Sequence, residues 1–144
     1  MNPYADSSFL VSCYIKDANT ASANDYLART RTPLVFTALH ALELRNAFEL
    51  GVFRGLFASA DAAAALRDME SDLRGGRLER IAVEWPVALR LSARFSALHS
   101  ATIGTRSLDI LHVAAAKTMR AVGFVSFDNR QRTLAAKVGL KVAP

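Results

Sequence analysis

The sequence holds little of the residue types that define several classes of protein. Its 144 residues include one cysteine, four prolines and seven glycines. A single cysteine, Cys13, excludes a disulfide scaffold and a cysteine-rich zinc site, and we expect it to lie in the core. No apolar run approaches the roughly 18 residues that a membrane span needs. The opening residues lack a basic stretch followed by an apolar one, so we expect no secretory signal, no membrane partner and a cytoplasmic protein.

The chain does hold a large apolar share and an excess of basic over acidic residues. Hydrophobic residues make up 51% of the sequence and charged residues 22%, which excludes a disordered chain. The length of 144 residues predicts a single domain over residues 1–144. Eighteen Lys and Arg against 13 Asp and Glu give a net charge of +5. Such a surface attracts polyanions, although many small basic proteins bind no nucleic acid.

The order of helical and strand-like segments predicts an α/β fold. Strand-like apolar segments lie at residues 3–5, 34–36, 78–83, 123–127 and 140–143. Segments of helical spacing separate them, which is typical of a parallel sheet with helices on both faces. We therefore expect a central parallel sheet of about five short strands flanked by helices. Thr37 follows the second of these segments, and we expect it to cap a long helix. The long interval between Phe36 and Leu78 predicts a helical hairpin on one side of the sheet.

Four of the 13 carboxylates lie in apolar surroundings, namely Asp6, Glu43, Asp109 and Asp128. An ionised carboxylate in such surroundings costs free energy unless it is paired or binds a metal. Asp6 and Asp128 each follow a predicted strand, at the edge where open α/β sheets place their ligand sites. Glu43 and Asp109 lie on helices that we expect to face this edge. Four converging acids repel each other, and hard divalent cations such as Mg²⁺ prefer an all-oxygen site.

Several of these residues also have a structural interpretation. Asp6 and Asp128 could cap the helices that follow them, which is a common role for aspartate. Arg106 lies three residues before Asp109 and could form a salt bridge with it. His112 follows Asp109 by one turn, and we expect it to be a packed, hydrogen-bonded helix residue, with a contact to the site as the alternative.

Four segments, in this order and spacing, resemble PIN-domain ribonucleases, and in particular the VapC-type toxins of type II toxin–antitoxin pairs. They are YADSSFLVS, ALELRNAFELG, RSLDILHVAAA and GFVSFDNRQRTLAAKVGLKV, and the resemblance spans nearly the whole chain. It matches Asp6, Glu43, Asp109 and Asp128 to the acidic metal-binding quartet of the family, and the PIN-like fold it implies is the predicted one.

Two departures from the family pattern concern the last of these segments. Ser126 stands where the family often has threonine, a difference that keeps the hydroxyl group. Some members carry a further acid shortly after the last aspartate, whereas Asn129, Arg130 and Gln131 follow here. A fifth acidic ligand is therefore absent, and the number of metal ions in the site, one or two, stays open.

The resemblance implies a metal-dependent endoribonuclease that uses Mg²⁺ or Mn²⁺ to hydrolyse RNA as a toxin. It also implies a homodimer and a tight complex with a cognate antitoxin. Because the early helices and the hairpin carry many apolar residues, we expect them to form a groove for an antitoxin helix. Arg106, Arg130 and Arg132 lie beside the site segments and are candidate RNA contacts, with ordinary surface solvation as the alternative.

Other functions stay open at this point. Receiver domains and haloacid-dehalogenase-type phosphatases also cluster carboxylates at strand ends. The receiver needs an acidic pair and the phosphatase a DxD motif, whereas Ser7 and Ser8 follow Asp6. We expect Ser7 to help position Asp6 rather than to act as a nucleophile. A catalytically silent PIN-like module that binds RNA or protein is the non-enzymatic alternative, although such a module has no need of four costly acids.

Overall fold

The structure is a computed structural model that describes residues 2–144. These residues form two compact units. The terminal unit consists of residues 2–6 together with Ala82–Pro144. The central unit consists of Ser7–Ile81. The expectation of a single domain stays a prediction. Among residues 2–144, no helix combines the length and the apolar character that a bilayer crossing requires.

Helices and strands alternate along the chain as the sequence predicts. The strands are β1 (Tyr4–Ala5), β2 (Leu34–Phe36), β3 (Leu78–Arg80), β4 (Phe124–Val125) and β5 (Val142–Ala143). The helices are α1 (Ser7–Tyr14), α2 (Thr20–Arg29), α3 (Ala38–Phe53), α4 (Ser59–Arg74), α5 (Trp85–Phe95), α6 (Ala101–Ile103), α7 (Ser107–Thr118) and α8 (Asn129–Lys137). A π-helical segment, Ser96–Ser100, links α5 to α6.

The strands pair in two parallel sheets, one in each unit. In the terminal unit β4 lies between β1 and β5, so that Phe124 is opposite both Tyr4 and Val142. In the central unit β2 pairs with β3, with Leu34 opposite Leu78. The α/β class and the parallel pairing are confirmed. The prediction of about five strands in one sheet is wrong, because the five strands are divided between two sheets and the larger sheet has three. Each strand is only two or three residues long and so offers few ladder hydrogen bonds to a further neighbour.

The core of the terminal unit fixes the helix that carries Asp109. Helix α7 buries every residue from His112 to Ala116, and the small side chains of Ala114 and Ala115 let neighbouring elements approach closely. Tyr4 stacks on Phe124 with ring centroids 6.0 Å apart. Because this interior is tightly packed, the first turn of α7 has a fixed position.

The central unit fixes the start of the helix that carries Glu43. Thr37 precedes α3, and its Oγ1 accepts a 3.4 Å hydrogen bond from the His40 backbone N–H. The His40 Nδ1 in turn accepts a 3.0 Å bond from the Thr37 N–H. This reciprocal cap confirms the prediction that α3 begins after Thr37.

Cys13 lies half-buried on α1, and its thiol donates to the Phe9 carbonyl at 3.4 Å.

Candidate active site

Asp6 is a buried carboxylate at the carboxyl end of β1. Its backbone N–H donates to the Val125 carbonyl at 2.9 Å, which extends the pairing of β1 with β4 by one residue. Its Oδ2 accepts a 2.8 Å hydrogen bond from the Ser126 hydroxyl and a 2.9 Å bond from the Gln131 side-chain nitrogen. The Asp6 side chain is therefore held from the adjacent strand end and from α8.

Asp128 lies at the same sheet edge, just beyond β4. Its Oδ1 accepts a 2.8 Å bond from the Gln131 backbone N–H, so Asp128 is the N-cap of α8. The capping role considered for this residue is confirmed. Its own backbone N–H donates to the Ser126 hydroxyl at 3.0 Å. Ser126 thus connects the two aspartates, because its hydroxyl accepts from the Asp128 backbone N–H and donates to the Asp6 carboxylate.

Asp109 reaches this cluster from the first turn of α7. Its Oδ2 pairs with the Arg106 Nε at 2.9 Å, which confirms the salt bridge considered from the sequence. Its Oδ1 accepts a 3.2 Å bond from the Gln131 side-chain nitrogen. The Asp109 side chain is 14% exposed and that of Arg106 is 77% exposed. The arginine therefore stands at the surface, directly beside a nearly buried carboxylate.

Gln131 touches all three of these aspartates and was missed as a site residue. Its backbone N–H reaches Asp128, and its side-chain nitrogen reaches Asp6 and Asp109. The residue is only 4% exposed, whereas its polar neighbours along α8 predict a solvated helix surface. The available signal was its position three residues after a candidate N-cap, which directs the side chain back towards the helix start.

Glu43 belongs to the central unit, on α3. The Ser7 hydroxyl donates to its Oε1 at 3.2 Å, and Ser7 directly follows Asp6 in the chain. Glu43 and Ser7 also line a cavity of about 350 Å³ that is rich in polar side chains. The sequence-based role of Glu43 as a fourth ligand stays a prediction, as does the positioning of Asp6 by Ser7.

The donor chemistry of this cluster fits a hard divalent cation. Carboxylate oxygens of Asp6, Asp109 and Asp128 are the ligand type that Mg²⁺ and Mn²⁺ prefer. The Gln131 amide nitrogen, a hydrogen-bond donor, lies against two of them. Within residues 2–144, no three His, Cys, Asp or Glu side chains stand together in an arrangement that would hold a metal ion. The metal-binding role of the quartet stays a prediction.

Two other residues singled out in the sequence have structural contacts. The His112 Nδ1 and the Tyr4 hydroxyl form a buried 2.8 Å hydrogen bond, which confirms His112 as a packed helix residue. Arg132 donates from Nη1 to the Ser126 carbonyl at 2.8 Å and to the Ala143 carbonyl at 3.1 Å. Its guanidinium therefore ties the end of β5 to the segment after β4, a role the sequence did not indicate.

Solved structures share this fold, among them the two that follow. VapC20 from Mycobacterium tuberculosis, described as a sarcin–ricin loop cleaving toxin, matches with a TM-score of 0.67 and 15% identity, over 96% of this chain and 96% of its own. FitAcB from Neisseria gonorrhoeae matches with a TM-score of 0.66 and 16% identity, over 99% of this chain and 96% of that one. No family model and no curated protein sequence matches the chain. The likeness confirms the PIN-like fold that the sequence resemblance implies.

Proposed function

We propose that this protein is a metal-dependent endoribonuclease and the toxin of a type II toxin–antitoxin pair. The observation that carries the proposal is the gathering of Asp6, Asp109 and Asp128 around one buried glutamine. Asp6 is fully buried, and a buried carboxylate that shares its donor with other acids is costly unless a cation binds beside it. The VapC20 structure, which shares the fold, is described as a toxin that cleaves the sarcin–ricin loop, and this supports RNA as the substrate class.

In the proposed chemistry the carboxylates share one task, which is to hold the metal ion. Asp6, Asp109 and Asp128, with Glu43 as the fourth ligand expected from the sequence, would hold Mg²⁺ or Mn²⁺. Such an ion, when bound, activates water and stabilises negative charge on a phosphate oxygen. Ser126 orients Asp6, and the capping bond from Gln131 orients Asp128. Hydrogen bonds of this kind hold ligands in place and thereby raise metal affinity.

The substrate backbone needs positive charge next to these acids. Arg106 supplies it, because its side chain is 77% exposed while its Nε is anchored to Asp109. Contacts between arginine and phosphate account for much of the affinity of proteins for nucleic acids. We therefore propose that Arg106 contacts an RNA phosphate beside the scissile bond.

The proposed antitoxin surface lies on α3 and the turn after it. Leu42 and Phe53 are 67% and 87% exposed, and Leu56 is 71% exposed. Leu42 and Phe53 lie eleven residues apart, about three helical turns, so they share one face of α3. The exposed Arg45–Glu49 ion pair lies between these two residues along the helix, so the surface combines apolar and charged side chains. Exposed large apolar side chains of this kind are candidates for contact with a protein partner. This surface fits the apolar side of an amphipathic antitoxin helix.

The test of the enzymatic proposal is cleavage of a mixed RNA pool with and without Mg²⁺ or Mn²⁺. We expect cleavage with either ion, and loss of cleavage in EDTA and in Asp6→Asn. Asp25→Asn is the matched control, because Asp25 is an exposed aspartate on α2. Cleavage that survives both EDTA and Asp6→Asn would contradict the proposal. Binding of RNA without cleavage in any metal would favour the silent-module alternative.

A further inference from the structure

One residue donates hydrogen bonds to every aspartate of the site in the terminal unit. The Gln131 backbone N–H reaches Asp128 Oδ1 at 2.8 Å. Its side-chain nitrogen reaches Asp6 Oδ2 at 2.9 Å and Asp109 Oδ1 at 3.2 Å. The side-chain amide therefore lies between two carboxylates that would otherwise face each other with like charge.

The chemistry of the Gln131 amide determines whether its NH₂ group or its oxygen lies between Asp6 and Asp109. The two carboxylate oxygens require a donor, so the NH₂ group occupies the gap and both of its hydrogens are used. The Gln131 Oε1 is then directed away, and it is buried without a hydrogen-bond partner among the described residues. A buried acceptor without a partner costs free energy. The bridging position thus satisfies the carboxylates while leaving half of the amide unsatisfied.

We propose that the Gln131 amide holds Asp6 and Asp109 together in the metal-free protein and releases both when a divalent cation binds. The inference rests on the proposed function, because it takes a metal ion as the ligand of the site. An N–H donor carries partial positive charge and uses the same carboxylate oxygens that a cation needs. The two therefore compete for Asp6 and Asp109, and the unsatisfied Oε1 lowers the cost of moving the amide.

A glutamine with only a packing role would behave differently. Its side chain would keep the same surroundings whether or not metal is bound. A glutamine that competes with the cation must lose its carboxylate acceptors on metal binding, and it must weaken metal binding in the unmodified protein. The environment of the Gln131 side-chain nitrogen therefore separates the two roles without any measurement of activity.

The sequence makes this environment directly observable, because Gln131 is the only glutamine in the chain. Protein labelled with ¹⁵N at the glutamine side-chain nitrogen gives one NH₂ pair in the NMR spectrum. We expect this pair to shift on titration with Mg²⁺ alone, and its exchange with water to become at least about tenfold faster as the hydrogen bonds are lost. A KCl titration at matched ionic strength, which should leave the pair unmoved, is the control.

The outcomes separate this inference from the proposed function. If Mg²⁺ raises the melting temperature while the NH₂ pair stays unmoved, Gln131 does not compete with the cation and the inference fails, although the metal site survives. If Mg²⁺ changes neither the melting temperature nor the NH₂ signals of Gln131, the metal site and the inference fail together.

A second variant tests the competition from the opposite side. Gln131→Met keeps the side-chain length and removes the donors. We expect its metal-free form to melt at a lower temperature and its Mg²⁺ affinity to rise several-fold, because no amide has to be displaced. Weaker Mg²⁺ binding in Gln131→Met would instead identify Gln131 as a ligand and overturn the competition. If the variant does not fold, the NMR titration of the unmodified protein still decides the question.

Discussion

The Ser126 hydroxyl donates a 2.8 Å hydrogen bond to Asp6 Oδ2, so the residue after β4 holds the carboxylate that follows β1. The Ser126 hydroxyl oxygen also accepts a hydrogen bond from the Asp128 backbone N–H at 3.0 Å. A single hydroxyl thus sets the relative position of two aspartates on neighbouring strands. The resemblance to a family that often has threonine here agrees with a need for the hydroxyl rather than for serine itself.

Replacing Ser126 with alanine should loosen Asp6. We expect Ser126→Ala to lose about 1–3 kcal/mol of unfolding free energy, because a buried carboxylate loses a donor. RNA cleavage should fall at least about tenfold, as for other residues that orient metal ligands. Ser126→Thr keeps the hydroxyl and should retain most of both properties. Equal cleavage by the alanine variant and the unmodified protein would show that Ser126 does not position the site.

Arg106 should matter for RNA binding more than for stability. We expect Arg106→Ala to weaken RNA binding and to reduce the slope of log affinity against log salt by about one, the change for one lost phosphate contact. Arg106 is exposed to solvent, which screens its ion pair with Asp109, so the pair should contribute only about 1 kcal/mol and the melting temperature should change little. Arg90→Ala, at an exposed position on α5, is the control for the loss of charge alone. An identical salt slope in both variants would remove Arg106 from the RNA interface.

The apolar surface on α3 should be required for complex formation but not for cleavage. We expect Phe53→Ser to abolish co-purification with the antitoxin that the proposed function implies, because Phe53 is 87% exposed and its removal leaves the core intact. Phe53→Leu keeps an apolar side chain and should retain the complex. Size-exclusion chromatography of the isolated protein distinguishes a homodimer through this surface, since Phe53→Ser would then yield monomers. Co-purification of Phe53→Ser would exclude this surface as the antitoxin site.

Alkaline pH should destabilise the protein through Cys13 and Tyr14. Burial, reinforced by the negative charges of Asp72 and Asp17, raises the pKa of the Cys13 thiol from 9.0 to about 12. Burial and Asp72 also raise the pKa of Tyr14, whose hydroxyl donates to Asp72 at 2.9 Å. The folded state therefore keeps protons that the unfolded chain loses.

The sign of the effect follows from these raised pKa values. The stabilisation is complete below pH 9 and is lost as the pH rises towards 12. We expect the free energy of unfolding, measured in urea, to fall from pH 9 upward. The fall should be smaller in Cys13→Ser, which has no thiol to titrate. A flat profile, or the same slope in both proteins, would contradict the assignment to Cys13.

Part of the candidate site could be predicted from the sequence because strand ends are informative. Asp6 and Asp128 each follow an apolar segment, and parallel strands end at the same edge of a sheet. Their meeting at one edge is confirmed by the pairing of β1 with β4. Thr37 was likewise predicted as a helix cap from its position after a strand and before a long apolar helix, and it is confirmed.

Other features depend on tertiary structure that the sequence pattern does not carry. Strands of two residues contain too few side chains to indicate which partner they pair with, so one sheet was expected where two are present. Gln131 lies in a polar segment that predicts a solvated helix face. Its burial follows from the packing of α8 against Asp6 and Asp109, which are distant in sequence. Local periodicity has no information about such contacts.

The metal site is decided by the change in melting temperature that Mg²⁺ produces in the unmodified protein and in Asp6→Asn. If the aspartates bind the ion, Mg²⁺ at about a hundred times its Kd should stabilise the unmodified protein by about 2.7 kcal/mol and raise its melting temperature. Asp6→Asn should gain much less, while the exposed control Asp25→Asn should gain as much as the unmodified protein. Equal gains in Asp6→Asn and the unmodified protein, or no gain in either, would contradict a metal site at Asp6.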